Sequence, residues 1–255
     1  MSQPTDKAPV PTNQERLDGR VGIITGGGRG IGAATALELA GLGARLVIAD
    51  RSLKTCATTV ACVRSAGAEA LPVAADIRNF ADVEQLRERC LAAFGRIDFV
   101  VANAAITDTS SLSEGDSAHW RDVIETNVLG TAYTVRAMLP AMQERGTGHI
   151  VLMASVSGRE TYVGEPIYSA SKWAIVGLGH ALRKEALRFG IRVTLVEPGL
   201  VDTPLARANP FAQTWFDAFE PLQPADVARA VAYALLQPPH MAVNEIVLRP
   251  LAQEV

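Results

Sequence analysis

The stretch Thr25-Gly26-Gly27-Gly28-Arg29-Gly30-Ile31-Gly32 constrains this chain more than any other, because it lies between the apolar run Val21 to Ile24 and the helix-like segment Ala33 to Ala40. It reads as a strand, a tight turn and a helix start. Glycines in such a turn adopt backbone angles closed to other residues and let the main chain approach a ligand with no side chain in the way. A helix that begins there aims its unpaired N–H groups and the positive end of its dipole at the turn, and both suit a pyrophosphate. The next unit adds a second marker. Ala44 to Ala49 is an apolar strand ending in Asp50, at the spacing where an acid accepts hydrogen bonds from an adenosine ribose. A P-loop is excluded, since no Gly-Lys-Ser/Thr follows.

The rest of the chain repeats the same rhythm. Ser52 to Ala66 is helix-like with Gly67 as its stop, Glu69 to Ala75 is a strand that leads to Asp76, and Asn79 to Phe94 is a helix closed by Gly95. Ile97 to Ala102 is near-continuously apolar, as expected of a strand buried on both faces, and it leads to Asn103. Asp116 to Met142 reads as one long helix, His149 to Ala154 as a strand, Pro166 to Phe189 as a helix and Ile191 to Val196 as a strand. Residues 202–222 break the pattern with Pro204, Pro210 and Pro221 and with Phe211, Trp215, Phe216 and Phe219, and read as a short helical excursion. Pro224 to Leu236 is a capped helix and Glu245 to Leu248 a last strand. Strict alternation predicts an α/β fold, a Rossmann-like doubly wound parallel sheet of about seven strands with helices on both faces. It puts the glycine turn, Asp50, Asp76, Asn103, Ser155 and Pro198 at one sheet edge.

Composition narrows the function. A length of 255 residues with 48% hydrophobic residues fits one large domain, expected over residues 19–255 after a flexible polar tail, residues 1–18, that carries Pro4, Pro9 and Pro11. A net charge of −3 with no basic run argues against nucleic acid or an anionic membrane as partner, and no apolar span is long enough to cross a bilayer. Cys56, Cys62 and Cys90 lack metal-like spacing and fit free thiols in a reducing compartment, so the cytoplasm is the expected location. His119, His149, His180 and His240 show no paired ligand spacing, and no metal site is expected.

Tyr168 and Lys172 lie four apart near the start of the helix at Pro166, on one face and close to the expected ligand edge. An adjacent ammonium favours the charged form of a phenol and so turns a tyrosine into a usable acid or base. Ser155, just past a strand, is placed to hold a substrate oxygen, and Asn127 to fix a water beside Lys172. Taken singly, each residue favours a plainer reading, Ser155 as a strand end and Asn127 as a partner for a helix carbonyl.

In these residues together, the sequence from Arg20 to Pro250 resembles the short-chain dehydrogenase/reductase family in its single-domain form. The resemblance rests on the turn at Thr25 to Gly32, on Asp76-Ile77, on Asn103-Ala104, on Asn127, Ser155, Tyr168 and Lys172 in order and spacing, and on Pro198-Gly199 and Thr203. It implies NAD(P)-dependent hydride transfer between a secondary alcohol and a ketone. Tyr168 would be the general acid/base, Ser155 would orient the substrate oxygen, Lys172 would lower the Tyr168 pKa and hold the nicotinamide ribose, and Asn127 would anchor a water. The implied cofactor-binding set is Thr25, Gly26, Gly28, Arg29, Gly30, Ile31, Gly32, Asp50, Arg51, Asp76, Ile77, Asn103, Ala104, Tyr168, Lys172, Pro198, Gly199, Val201 and Thr203. The resemblance also implies a homodimer or homotetramer built on the two long helices.

Asp50 favours NAD, because its carboxylate bonds both ribose hydroxyls and repels the extra phosphate of NADP, while Arg29 and Arg51 pull toward NADP. The substrate pocket is expected between residues 156–167 and 199–219, with 200–222 as a substrate-binding loop. If that segment is helical, Phe211, Trp215 and Phe219 form one apolar stripe, which packs on the domain or a partner subunit as readily as it lines a pocket; lining the pocket it would favour an apolar or cyclic substrate, whereas Arg159 or Arg207 turned inward would favour a hydroxy acid. Two other readings remain. A methyltransferase shares the glycine turn and the acid after the second strand but does not require Ser155, Tyr168 and Lys172, and a non-catalytic dinucleotide sensor would share the fold.

Overall fold

A computed structural model of the chain describes residues 16–209 and 212–254. Its centre is a parallel sheet of seven strands in the order β3-β2-β1-β4-β5-β6-β7. The strands are β1 (Val21–Thr25), β2 (Arg45–Asp50), β3 (Ala70–Ala74), β4 (Phe99–Ala102), β5 (Gly148–Met153), β6 (Ile191–Pro198) and β7 (Glu245–Leu248). The period-2 rule explains why the centres of most of these strands are apolar on both faces. Val47, Val100, Ile150 and Val193 pack on one face, and Leu46, Ile48, Val101, Val151 and Val196 pack on the other.

Each face is covered by helices with an apolar stripe. On the first lie α3 (Phe80–Phe94), α5 (Thr131–Arg145) and α6 (Pro166–Ala186), through Leu86, Met138 and Ile175 among others. On the second lie α1 (Gly30–Gly41), α2 (Leu53–Ser65) and α9 (Pro224–Leu236), through Leu39, Val60 and Val231. Side chains cap several starts: Ser52 accepts from the Thr55 amide, Asn79 from Ala81, and Asp116 from Ala118 at the start of α4 (Ser117–Ile124). None of the helices among the described residues is long and apolar enough to cross a membrane.

Four expectations need correction or completion. The long helix over Asp116 to Met142 is not continuous: a π-helical segment, Glu125–Gly130, separates α4 from α5. Its cause is local. Asn127 in the wide turn bonds the backbone of Ile106, and Gly130 sits so close to Ile77 that a Cβ would come within 2.7 Å of that side chain. The helix from Pro166 ends at Ala186, and its last three expected residues form a 3₁₀ turn closed by Gly190 at φ 67°. The folded domain begins before residue 19, since Leu17 is fully buried against the second face and its amide bonds Leu42 O at 2.8 Å. The expected tail over residues 1–15 lies outside the described residues, as does Phe211. The excursion before α9 contains two short helices, α7 (Pro204–Arg207) and α8 (Ala212–Ala218).

Gly22, in the middle of β1, illustrates how tightly the sheet is covered. The Phe99 ring of the neighbouring strand lies over it, and a Cβ there would meet that ring at 1.9 Å. Gly41, by contrast, is an exposed helix residue with no heavy atom within 4 Å of a Cβ. Gly22→Ala is therefore expected to lower unfolding stability by about 1–3 kcal/mol through overpacking, and Gly41→Ala to raise it by up to about 1 kcal/mol through helix propensity. Urea unfolding of the two variants side by side checks both signs.

Candidate functional site

The sheet order reverses between β1 and β4, and the connections after those two strands leave toward opposite faces. A crevice opens beyond the strand ends at such a point. Here it is a cleft of about 470 Å³, and it is lined by Gly26, Arg29, Gly30, Ile31, Asp50, Arg51, Asp76, Ile77, Asn103 and Ala104 at one end and by Ser155, Tyr168, Lys172, Pro198, Gly199, Val201 and Thr203 toward the other. The sequence singled out all of these. Thr25, Gly28, Gly32 and Asn127 stand one layer behind the wall and shape it.

Side chains hold the glycine turn from below. Asn103 Nδ2 donates to Thr25 O at 3.0 Å and to Gly26 O at 3.2 Å, while Thr25 Oγ1 accepts the amides of Asn103 and Ala104 at 3.1 and 3.2 Å. Gly26 takes φ 61° and Gly30 φ 55°, left-handed angles that favour glycine. At Gly32 a Cβ would lie 2.2 Å from Gly26 O, and at Gly28 2.6 Å from Thr55 O. Arg29, the residue before α1, makes no side-chain cap, so the first amides of the helix are left for a ligand in the cleft. Asp50 ends β2 with its carboxylate steadied by the Gly28 amide at 3.3 Å and the Arg51 amide at 2.8 Å. These features fit a pyrophosphate flanked by a ribose.

Asp76 is less available than its place in the sequence implies. Arg78 grips its carboxylate through Nε and Nη2, at 2.7 Å for the shorter pairing, and reaches Asp122 with Nη1 at 2.7 Å. That guanidinium holds the Asp76 carboxyl below its ordinary pKa. Arg78 itself lines the cleft.

At the other end, β5 delivers Ser155 and α6 delivers Tyr168 and Lys172 on one helical face. Ser155 Oγ donates to Pro198 O at 3.4 Å, which ties the ends of β5 and β6, and the half-buried Tyr168 phenol lines the same wall. Lys172 is buried, with its Nζ donating to Met153 O at 2.9 Å and lying 5.6 Å from the centre of the Tyr168 ring. The expected lowering of the Tyr168 pKa by Lys172 is not what this arrangement produces. Burial pushes the phenol up, Glu165 adds to the rise, and only the Ser155 hydrogen bond pulls the other way. Burial meanwhile pulls Lys172 down to about 8. Asn127 spends its amide on protein: Nδ2 donates to Ile106 O at 2.9 Å and to Ser171 Oγ at 3.0 Å, and Oδ1 accepts the Ile106 amide at 2.9 Å. It clamps the π-helical segment to α6 one residue before Lys172.

Trp215 and Phe219 line the cleft, and Tyr162 joins them with its ring edge-on to Trp215 at 6.4 Å. Neither arginine considered from the sequence turns inward. Arg159 pairs with Glu197 and Glu245, and Arg207 pairs with Asp202 at 2.6 Å and lies over the Phe216 ring at 5.0 Å. Sequence reasoning passed over Ser157, Glu165 and Gln253, all cleft residues. Gln253 carried no signal. Its Oε1 accepts the Leu200 amide at 2.9 Å and fills the space a Cβ of Gly199 would need, at 2.2 Å, so the C-terminal residues close over the cleft. Glu165 did carry one: an acid directly before the proline that opens a helix is a strong position for a carboxylate, and here that acid faces the site.

Comparison with known proteins agrees with this geometry. The profile of the short chain dehydrogenases matches residues 20–213. An uncharacterized oxidoreductase of Staphylococcus saprophyticus is 38% identical over 238 residues, which is 92% of this chain and 99% of the relative. Among solved structures, levodione reductase superposes with a TM-score of 0.85 at 30% identity over 91% of this chain and 96% of that one. A metagenomic short-chain oxidoreductase in complex with NADP superposes with a TM-score of 0.81 at 30% identity over 93% and 99%. With glycine turn, switch-point cleft and the Ser155, Tyr168 and Lys172 wall all in place, the chain belongs to the short-chain dehydrogenase/reductase family of oxidoreductases.

Proposed function

We propose that the protein interconverts a secondary alcohol and a ketone with a nicotinamide dinucleotide, NAD before NADP, and that Tyr168 is its general acid/base. The observation that carries this reading is the clustering of Ser155, Tyr168 and the buried Lys172 on the wall of the same cleft that holds the uncapped start of α1. Bound in the cleft, the nicotinamide supplies the hydride acceptor or donor. In the oxidative direction Ser155 holds the substrate hydroxyl and Tyr168 takes its proton as the hydride leaves carbon. In the reductive direction Tyr168 returns a proton to the carbonyl oxygen. Lys172 holds ribose hydroxyls and shares the proton path, and Asn127 positions Lys172 through Ser171. Residues 200–222 form the loop over the substrate, whose aromatic lining favours an apolar or cyclic skeleton. A homodimer or homotetramer through the helical faces around α4, α5 and α6 accords with the exposed Ile124, Leu129 and Trp173.

Asp50 supports NAD, since its oriented carboxylate accepts ribose hydroxyls and opposes a phosphate at the same place. A second reading, NADP, is favoured by Arg29 and Arg51 in the cleft wall and by the NADP and 5-hydroxy-NADP named with two structural neighbours.

Three outcomes are expected. Tyr168→Phe, which keeps the ring and loses the proton, lowers kcat by about 10²- to 10⁴-fold in a 340 nm assay while cofactor binding persists; cofactor binding without any turnover by wild type would instead favour the sensor. Asp50→Ala raises the kcat/KM ratio of NADP to NAD by roughly tenfold or more as the carboxylate–phosphate repulsion is removed, and an unchanged ratio removes Asp50 from the choice. The third concerns pH. The folded state lowers the Lys172 pKa to about 8. Between there and the ordinary value near about 10.4 the unfolded chain binds the extra proton, so raising the pH favours the folded state. Urea unfolding of wild type should gain up to about 3 kcal/mol on Lys172→Met across that window, and parallel pH profiles would contradict a buried ammonium.

A further inference from the structure

The substrate end of the cleft holds a buried acid for which proton and hydride transfer have no use. Glu165 directly precedes Pro166, the first residue of α6, and is only 8% exposed, yet it lines the cleft beside Ser157 and Tyr162. A buried carboxylate is costly unless its oxygens are satisfied. Its two hydroxyl neighbours serve the same oxygen: Ser157 Oγ donates to Oε1 at 2.7 Å and Ser169 Oγ to Oε1 at 3.4 Å. Oε2 receives no hydrogen bond and the carboxylate meets no cation among the described residues. Nor is the side chain spent on the helix, for it makes no cap bond to the first amides of α6. Burial raises the Glu165 carboxyl, and the two serine hydroxyls, both oriented as donors, act to keep it ionised.

An acceptor held this firmly, with one oxygen supplied by the protein and the other left for the cleft, is built for a donor that arrives with the ligand. We propose that Glu165 Oε2 accepts a hydrogen bond from a second hydroxyl of the substrate, which makes the substrate class a diol or hydroxyketone and selects against carboxylic acids. The inference rests on the reading of this cleft as an alcohol/ketone site. Repulsion does the selecting. An anionic substituent brought beside Glu165 meets a like charge in a poorly hydrated place, and Arg159 and Arg207, the cations that would have offset it, are tied to acids outside the cleft. Tyr162 and Trp215 supply an apolar wall for the carbon skeleton.

The test compares cyclohexanol, the 1,2-, 1,3- and 1,4-cyclohexanediols and 4-hydroxycyclohexanecarboxylate as substrates of wild type, Glu165→Met and Glu165→Gln with saturating cofactor. Each compound is read as a kcat/KM ratio to cyclohexanol within one variant, so that any effect of Glu165 on Tyr168 cancels. Binding of the matching hydroxyketones and of cyclohexanone to the NADH complex is measured in parallel by cofactor fluorescence. Wild type should prefer at least one diol by about tenfold or more, as a hydrogen bond to a charged acceptor allows. That preference should fall to about one in Glu165→Met and survive in part in Glu165→Gln, which keeps an acceptor. Glu165→Gln should also gain on the carboxylate relative to cyclohexanol. Turnover with ratios identical in wild type and both variants overturns the role of Glu165 and leaves the alcohol/ketone reading standing. A hydroxyketone preference in binding that is lost in Glu165→Met, with no turnover of any alcohol, upholds the Glu165 site and overturns the redox reading. Absence of both binding and turnover across the panel overturns both.

Discussion

Asn103 holds the two halves of the sheet together at the point where their connections part. After β1 the chain turns to one face of the sheet and after β4 to the other, so the ends of these neighbours lose the helical cover that strands elsewhere keep. Backbone groups exposed there need partners. The Asn103 amide takes the carbonyls of Thr25 and Gly26, and the Thr25 hydroxyl takes the amides of Asn103 and Ala104. The glycines follow from this knot. A side chain at residue 32 would strike both Gly26 O and, at 2.7 Å, Asn103 Nδ2, and one at residue 26 would strike the Ala104 Cα at 2.8 Å. Turn and asparagine are thus one device spread over two strands, and the cleft exists because it is closed from below and open above.

The reacting end works by desolvation more than by charge pairing. Tyr168, Lys172 and Glu165 share a region poor in water, and burial pushes each toward its neutral form, the phenol and the carboxyl up and the ammonium down, with the Ser157 and Ser169 hydroxyls opposing that push at Glu165. On the proposed reading, a protonated tyrosine would be a poised donor and the lysine a ready proton carrier. A cationic ring and a pyrophosphate brought into the same space change that balance, so the acid/base strength of the pair belongs to the complete complex and not to the helix spacing alone.

The sheet was legible because burial on both faces leaves unbroken apolar runs, and the turn after β1 because its backbone geometry forces glycine at fixed offsets. Other features left weaker traces. The π-helical segment has the same apolar spacing as a straight helix, and only the contacts of Asn127 and Gly130 with Ile106 and Ile77 require the wider turn. Arg159 and Arg207 looked usable from their positions; the partners of Arg159 lie 38 and 86 residues away and meet it only on folding, whereas Asp202, five residues before Arg207, was a local partner. Leu17 sits in a polar, proline-containing stretch that hides one anchoring residue. Glu165 reads in sequence as a residue ahead of a helix. What separates a helix cap from a site residue is the direction of the side chain, which no spacing encodes.

Charge in the cleft is sorted along its length, and the sorting matches a dinucleotide and its substrate together. The middle is the uncapped start of α1, electropositive without a resident anion. Toward one end stands Asp50 and toward the other Glu165, both acceptors held by protein donors on one oxygen or both. Of the arginines near the cleft, Arg78 is paired in place with Asp76 and Asp122, and Arg159 and Arg207 are paired away from the lining with Glu197, Glu245 and Asp202, while Arg29 and Arg51 stay in the wall at the Asp50 end. A ligand complementary to such a field is anionic at its centre and presents hydroxyl donors at both extremities. On the proposed reading the ribose of the adenosine would meet the first demand for a donor, and the second would fall on the substrate.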